Sequence, residues 1–146
     1  MIMKRLFTIL AASFTFALTV SAGDRPVTYS QLPVAAQTFI QAHYPQDKVS
    51  FATIDDDIIR PDYNVVLVSG VRLEFCNSGQ LKKIEARQGG VPVNIIPVQI
   101  RDYANTYYPG TYIVDYEIGK RTYDVKLSNR LELKFNKRFQ LVEVDD

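Results

Sequence analysis

Leu32-Pro33-Val34-Ala35-Ala36-Gln37-Thr38-Phe39-Ile40-Gln41-Ala42-His43-Tyr44-Pro45 returns later in the chain as Ile96-Pro97-Val98-Gln99-Ile100-Arg101-Asp102-Tyr103-Ala104-Asn105-Thr106-Tyr107-Tyr108-Pro109. Each version reads as one helix. Pro33 and Pro97 stand at the start, where a missing N–H does no harm. Pro45 and Pro109 end it, because the residue before proline avoids the helical region. Ala36, Phe39, Ile40 and His43 fall at i, i+3, i+4 and i+7, one face of a helix, and Ile100, Tyr103, Ala104 and Tyr107 repeat that stripe.

The duplication continues into strands. Tyr63-Asn64-Val65-Val66-Leu67 and Leu73-Glu74-Phe75 return as Tyr123-Asp124-Val125-Lys126-Leu127 and Leu133-Lys134-Phe135. A recurring unit points to an architecture built by repetition. Tyr123, Val125 and Leu127 alternate with polar neighbours, as do Leu131, Leu133 and Phe135, and Val114, Tyr116 and Ile118. Period two with one polar face is the pattern of an antiparallel sheet covered on one side. Ser69-Gly70, Asn129-Arg130, Asn77-Ser78-Gly79 and Asn136-Lys137-Arg138 supply hairpin turns. Leu81 to Glu85 and Leu141 to Asp145 are the last strands. Thr28 can cap a short helical turn through Gln31, and Pro92 to Ile96 offers its counterpart. The expected fold is therefore α+β: two tandem repeats, each a helix pair plus a four-stranded antiparallel sheet, with helices on one face of the sheet and the option of one continuous sheet across both. The expected boundaries are 1–22 for a signal peptide, 23–87 for the first repeat and 88–146 for the second, joined at Gln88-Gly89-Gly90 within one compact domain.

The amino terminus reads as an export address. Lys4 and Arg5 precede the uncharged apolar run Leu6 to Val20, and Val20-Ser21-Ala22 offers small residues for cleavage after Ala22. The run is short for a membrane span, and no later segment is longer, so no membrane span is expected after cleavage. The expected location is periplasmic or secreted. Cleavage takes away two of the 17 basic residues and none of the 16 acidic ones. That near-neutral balance argues against a nucleic-acid partner, which calls for a clustered positive surface. Cys76 is the only cysteine, so no intrachain disulfide is available and stability must come from burial.

The ordered set Leu32-Pro33, Phe39-Ile40, Tyr44-Pro45, Tyr63-x-Val65-x-Leu67 and Leu73-x-Phe75, with its second-copy equivalents, resembles the PepSY-like family of exported bacterial proteins. The resemblance covers nearly all of the mature chain. Members look like the fold of the β-lactamase inhibitor protein, in which two helix-on-sheet repeats form one concave sheet. What the resemblance implies is protein binding and inhibition, with no catalytic residue; the expected target of inhibition is an envelope hydrolase, and no cofactor is expected.

The residues themselves offer little catalysis. His43, the only histidine, has Tyr107 as its counterpart, so a packing role with a satisfied polar tip suits both positions. Cys76 corresponds to Asn136 and has no evident base to make it a thiolate. Asp55-Asp56-Asp57 with Asp62 invites a calcium reading, but the spacing lacks the glycine and terminal glutamate of a helix–loop–helix site. Glu132 and Asp124 lie on an open polar face with nothing to raise their pKa values. No phosphate loop, serine elbow or zinc-spaced cluster is present. An enzyme is not expected, and neither is a metal site.

The two copies differ most on the uncovered sheet face. Asp115, Glu117, Asp124, Lys126, Ser128, Glu132 and Lys134 project there from the second copy. Their first-copy counterparts are Phe51, Thr53, Asn64, Val66, Val68, Arg72 and Glu74. Apolar side chains on an uncovered face mark a contact site. The expected site is partner-binding: Phe51, Val66 and Val68 as anchors, with Arg72 and Glu74 setting register against an unidentified envelope protein or peptide. The alternative is a small-ligand or calcium-binding protein using the Asp55–Asp57 loop.

Overall fold

The computed structural model describes residues 23–146; the leader expected at 1–22 lies outside the described residues. In chain order the elements are β1 (Arg25–Val27), a single 3-10 turn (Tyr29–Gln31), α1 (Val34–His43), β2 (Val49–Ile54), β3 (Tyr63–Leu67), β4 (Arg72–Phe75) and β5 (Leu81–Glu85). They continue with α2 (Val98–Tyr107), β6 (Ile113–Ile118), β7 (Thr122–Leu127), β8 (Glu132–Asn136) and β9 (Leu141–Asp145). The strands form one nine-stranded sheet in which spatial order equals sequence order, every neighbouring pair being antiparallel. Among the described residues no helix is long and apolar enough to cross a membrane.

The helices form where their prolines place them. Pro33 and Pro97 are the N-cap residues, extended at φ −54° and −52°, and Val34 and Val98 begin the helical turns. At the far ends the Tyr44 and Tyr108 amides close back onto the Ile40 and Ala104 carbonyls at 2.8 Å each. Ala36, Ile40, Ile100 and Ala104 are the buried helix residues.

The expected repeat of helix pair plus four-stranded sheet is corrected on two counts. There is no helix pair. Ahead of α1 the chain makes only one turn, closed by the Gln31 amide on the Thr28 carbonyl at 3.0 Å and by the Gln31 side chain on the Thr28 amide at 2.8 Å. Leu32 then goes extended before Pro33, and three residues are too few to sustain a helix. Between Pro92 and Pro97 only the turns Ile95 to Pro92 and Ile96 to Val93 fit.

Nor are there two four-stranded sheets. β5 pairs directly with β6, placing Ile84 opposite Tyr116, and β1 adds a strand before β2. Two separate sheets would leave unpaired backbone edges at β5 and β6; continuous pairing removes both.

One row of side chains crosses the covered face through all nine strands: Val27, Ala52, Val65, Leu73, Ile84, Tyr116, Val125, Leu133 and Val144. Bulges recur at matching places, after Val49 and Ile113 and again beside Phe75 and Phe135. The bulge after Ile113 leaves Val114 unpaired and gives Ile113 the buried position that simple alternation had assigned to Val114.

Two aromatic chains match as well. Phe75 meets Phe39 edge-on at 5.6 Å, and Phe39 lies 4.5 Å from His43; Phe135, Tyr103 and Tyr107 repeat this at 5.4 and 4.5 Å. His43 is thus a packing residue, but its Nδ1 has no hydrogen-bond partner among the described residues, and Tyr107 is exposed. The satisfied tip expected at that position is absent.

Gly79 anchors the α1 start to the β4–β5 turn. It has φ +87°, and a Cβ there would meet Pro33 Cβ at 2.8 Å and the Ala36 backbone nitrogen at 2.9 Å. Gly70, at φ +93°, has open space around it. Gly70→Ala should therefore cost only the left-handed penalty, about 1–2 kcal/mol, whereas Gly79→Ala adds overpacking and should cost about 2–5 kcal/mol. Urea unfolding of the two variants checks the difference; equal midpoints would show that Gly79 is not a packing constraint.

Candidate functional site: the open sheet face

Two parallel rows of side chains cross the face away from the helices. The first runs Phe51, Val66, Arg72, Glu85, Asp115, Lys126, Glu132, Asp145 from β2 to β9. The second runs Pro26, Thr53, Asn64, Glu74, Lys83, Glu117, Asp124, Lys134, Glu143 from β1 to β9. Register alone creates both rows, because residues opposite one another on antiparallel strands share a face.

Of the five residues expected to bind a partner, three come together. Phe51 lies directly opposite Val66, and Val66 opposite Arg72. Phe51 and Val66 are half-buried and Arg72 is exposed. Glu74 stands in the next row between Asn64 and Lys83. Val68 stands apart. It follows β3 in the hairpin turn, 69 % exposed, with its amide on the Lys48 carbonyl at 2.8 Å. Thr53, placed on the same face by sequence, is buried.

Sequence reasoning missed the charged seam where β5 meets β6. Lys83 sits between Glu74 and Glu117 in one row, while Arg72, Glu85, Asp115 and Lys126 are consecutive in the other. Lys83 Nζ lies 3.3 Å from Glu85 and 3.9 Å from Asp115. Asp124 Oδ1 is buried without a hydrogen-bond partner among the described residues. The available signal was Lys83 alternating with Glu85 in the last strand of the first half. It lacked meaning until the strand beyond was known.

Crowding moves proton affinities here. Burial pushes the Asp115 carboxyl up to about 6; Glu85 and Glu117 add to the rise, and Lys83 and Lys126 oppose it. Glu74 is also raised, by burial first and then by Asp62 and Glu117, against Lys82 and Lys83. The carboxyls raised on this face are Asp115 and Glu74, neither of them belonging to the carboxylate pair singled out from the sequence. At one end of the seam a groove of about 300 Å³ is lined by Ser69, Arg72, Glu85, Arg87 and Gln88 among others, offering both charges to a polar partner.

The acidic loop is occupied with its own folding. Asp55 Oδ1 accepts from the Asp57 amide at 3.2 Å, and Asp57 Oδ1 accepts from the Ile59 and Arg60 amides at 2.9 and 3.3 Å. Asp62 is ion-paired with Lys82, the extra residue of the β5 bulge. Among the described residues no three His, Cys, Asp or Glu side chains converge on a metal position. Cys76, in the β4–β5 turn, has its Sγ 2.9 Å from Ser78 Oγ.

A nine-stranded antiparallel meander with both helices on one face, and a charged open face opposite, defines the class. A family model described as "Putative beta-lactamase-inhibitor-like, PepSY-like" matches residues 18–59 and 61–143, and the chain belongs to this PepSY-like family. It is similar to a "putative calcium-regulated periplasmic protein" from Bacteroides thetaiotaomicron, with a TM-score of 0.81 and 37 % identity over 84 % of this chain and 97 % of that one. A putative periplasmic protein from Bacteroides vulgatus matches with a TM-score of 0.81 and 36 % identity over 84 % and 97 % of the two chains. A second Bacteroides vulgatus protein, described as a putative periplasmic protein of unknown function, has a TM-score of 0.81 and 32 % identity over 85 % and 100 %. No curated protein matches the chain. The protein is periplasmic, one of the two locations, periplasmic or secreted, that its sequence leads one to expect.

The raised Asp115 carboxyl has a stability consequence. Between roughly pH 4 and 6 the folded state holds this proton more tightly than the unfolded chain, whose aspartate titrates near its ordinary value of 3.8. The Asp115 contribution to stability therefore falls as pH rises through that window and stays unfavourable above it. Asp115→Asn should flatten this part of the pH profile and raise the urea midpoint at neutral pH. An unchanged profile would show that Lys83 already offsets the burial.

Proposed function

We propose that this protein is an exported, non-enzymatic binding module. Its open sheet face captures a protein or peptide of the cell envelope, acting by steric occlusion in the manner of a hydrolase inhibitor and without a cofactor. The observation that carries this reading is the Phe51–Val66 pair. These two apolar side chains stand opposite each other on a face whose other side chains are mostly charged. Apolar anchors beside a polar rim are where interfaces concentrate their energy. Arg72, opposite Val66, and Glu74, in the next row, supply the polar rim, and Val68 extends the apolar end at the hairpin. The inhibitor-like description of the family supports occlusion as the mode of action.

Val66→Asp puts a carboxylate opposite Phe51 and should abolish capture of the partner from a periplasmic extract, with an unchanged far-UV spectrum and little change in urea midpoint. Undiminished capture by that variant would dismiss this surface.

A second reading, calcium dependence, is favoured by the description of the Bacteroides thetaiotaomicron structure. In this chain the carboxylates available for it are those of the Asp55–Asp57 loop, of which Asp55 and Asp57 are already engaged with backbone amides. On the binding-module reading, titration with calcium gives no heat and no shift in Tm. A saturable heat with a rise in Tm would move the assignment to a cation-binding protein.

A further inference from the structure

The two halves of the sheet end differently. The outer edge of β5 carries β6, whereas β9, which takes the corresponding place in the second half, has no strand beyond it among the described residues. One matched pair registers the difference. Ile84 and Val144 lie on the same covered-face row, opposite Leu73 and Leu133, yet Ile84 is fully buried and Val144 is 45 % exposed. The Ala86 amide donates to the Val114 carbonyl at 2.8 Å, so the Ile84 backbone, two residues earlier, also faces β6. Val144 holds the place of Ile84, and its N–H and carbonyl therefore face the open edge.

The opposite end of the sheet is closed by β1. Val27 lies against Ala52 and Pro26 against Thr53, where Ile84 and Lys83 lie against Tyr116 and Glu117. β1 has three residues, one of them a proline without an N–H, which makes a poor template for further pairing. β9 has five residues and no proline.

Side chains select the occupant. Glu143 and Asp145 flank Val144 on the open face, and Glu132 lies opposite Asp145. Lys134 is 3.5 Å from Glu143 and Lys126 is 3.7 Å from Glu132, while Asp145 has no ion pair among the described residues. A second copy of β9 laid antiparallel about Val144 would set Glu143 against Asp145, acid against acid. We propose that the β9 edge receives an extended segment of another protein as a further antiparallel strand. That segment places an apolar side chain opposite Val144 and lysine or arginine opposite Glu143 and Asp145. Main-chain pairing supplies affinity, and the basic-apolar-basic alternation supplies selection.

The test is fluorescence anisotropy of a labelled synthetic peptide alternating lysine with valine and tyrosine, titrated with the purified protein at low and high salt. The expected result is saturable binding that weakens with salt and is lost when glutamate replaces lysine in the peptide. Val144→Pro, which removes the outward N–H, and Asp145→Lys, a surface change that leaves the core intact, should each weaken binding at least tenfold. Val66→Asp should leave it unchanged, which separates this edge from the open face. No binding of the basic peptide, equal binding of the acidic one, or unaltered affinity in Asp145→Lys overturns the proposal. Self-association through β9, seen as a dimer in sedimentation that Asp145→Lys alters, overturns the choice of occupant.

Discussion

The pairing of β5 with β6 is the constraint on which the rest of the structure depends. It sets Ile84 opposite Tyr116, both buried, at the centre of a core that runs unbroken from α1 to α2. A half-length unit alone buries too little surface to be comfortably stable. Joining the halves through backbone hydrogen bonds gives each half the other's edge as cover. The same pairing aligns the open-face rows, so Lys83 and Glu85 of one half come to stand beside Asp115 and Glu117 of the other. The charged seam on one face is thus a by-product of the apolar row on the other.

Much of this was legible because it rests on short-range chemistry. Both long helices lie between the prolines that bracket them, and the strands follow the alternation of Tyr123-Val125-Leu127 and its counterparts. The projection of Phe51, Val66, Arg72 and Glu74 onto the open face needed only period two. What stayed hidden depends on distant partners. Thr28 to Gln31 has capping chemistry suited to a helix but only three residues before the extended Leu32–Pro33, and the turn stops there. Arg25-Pro26-Val27 carries no strand signal of its own and pairs because β2 offers it an edge. The seam could not be read from either repeat, since Lys83 and Asp115 meet only through a register that no local pattern specifies. A bulge misplaces Val114 for the same reason: the extra residue answers to the partner strand, not to its own alternation.

Stability at the seam is set by competing terms. Glu74, Glu85, Asp115, Glu117 and Asp124 cluster around Lys83 and Lys126, with Lys82 and Arg72 at its margin. At Asp115 and Glu74 burial costs the carboxylate more than these cations return, as their raised proton affinities show. The fold tolerates the cost because β5 and β6 cannot separate without exposing Ile84 and Tyr116. Sequences that accept a local electrostatic penalty while every other level agrees with the fold do so most often at sites kept for function.

The open face is unevenly self-sufficient, and that unevenness bears on where the proposed partner would gain most. In the second half both lysines of the open face are taken, Lys126 by Glu132 and Lys134 by Glu143. Exposed pairs of this kind contribute little to stability and gain little from a partner. In the first half Phe51 and Val66 remain partly open, and Arg72 has no ion pair among the described residues. A partner laid over the first half removes apolar surface from water and gives the guanidinium a counter-charge. One laid over the second half must first break pairs that exist. On the proposed binding-module reading, the asymmetry between two otherwise matching halves favours docking toward β2, β3 and β4, with the carboxylate seam as its border.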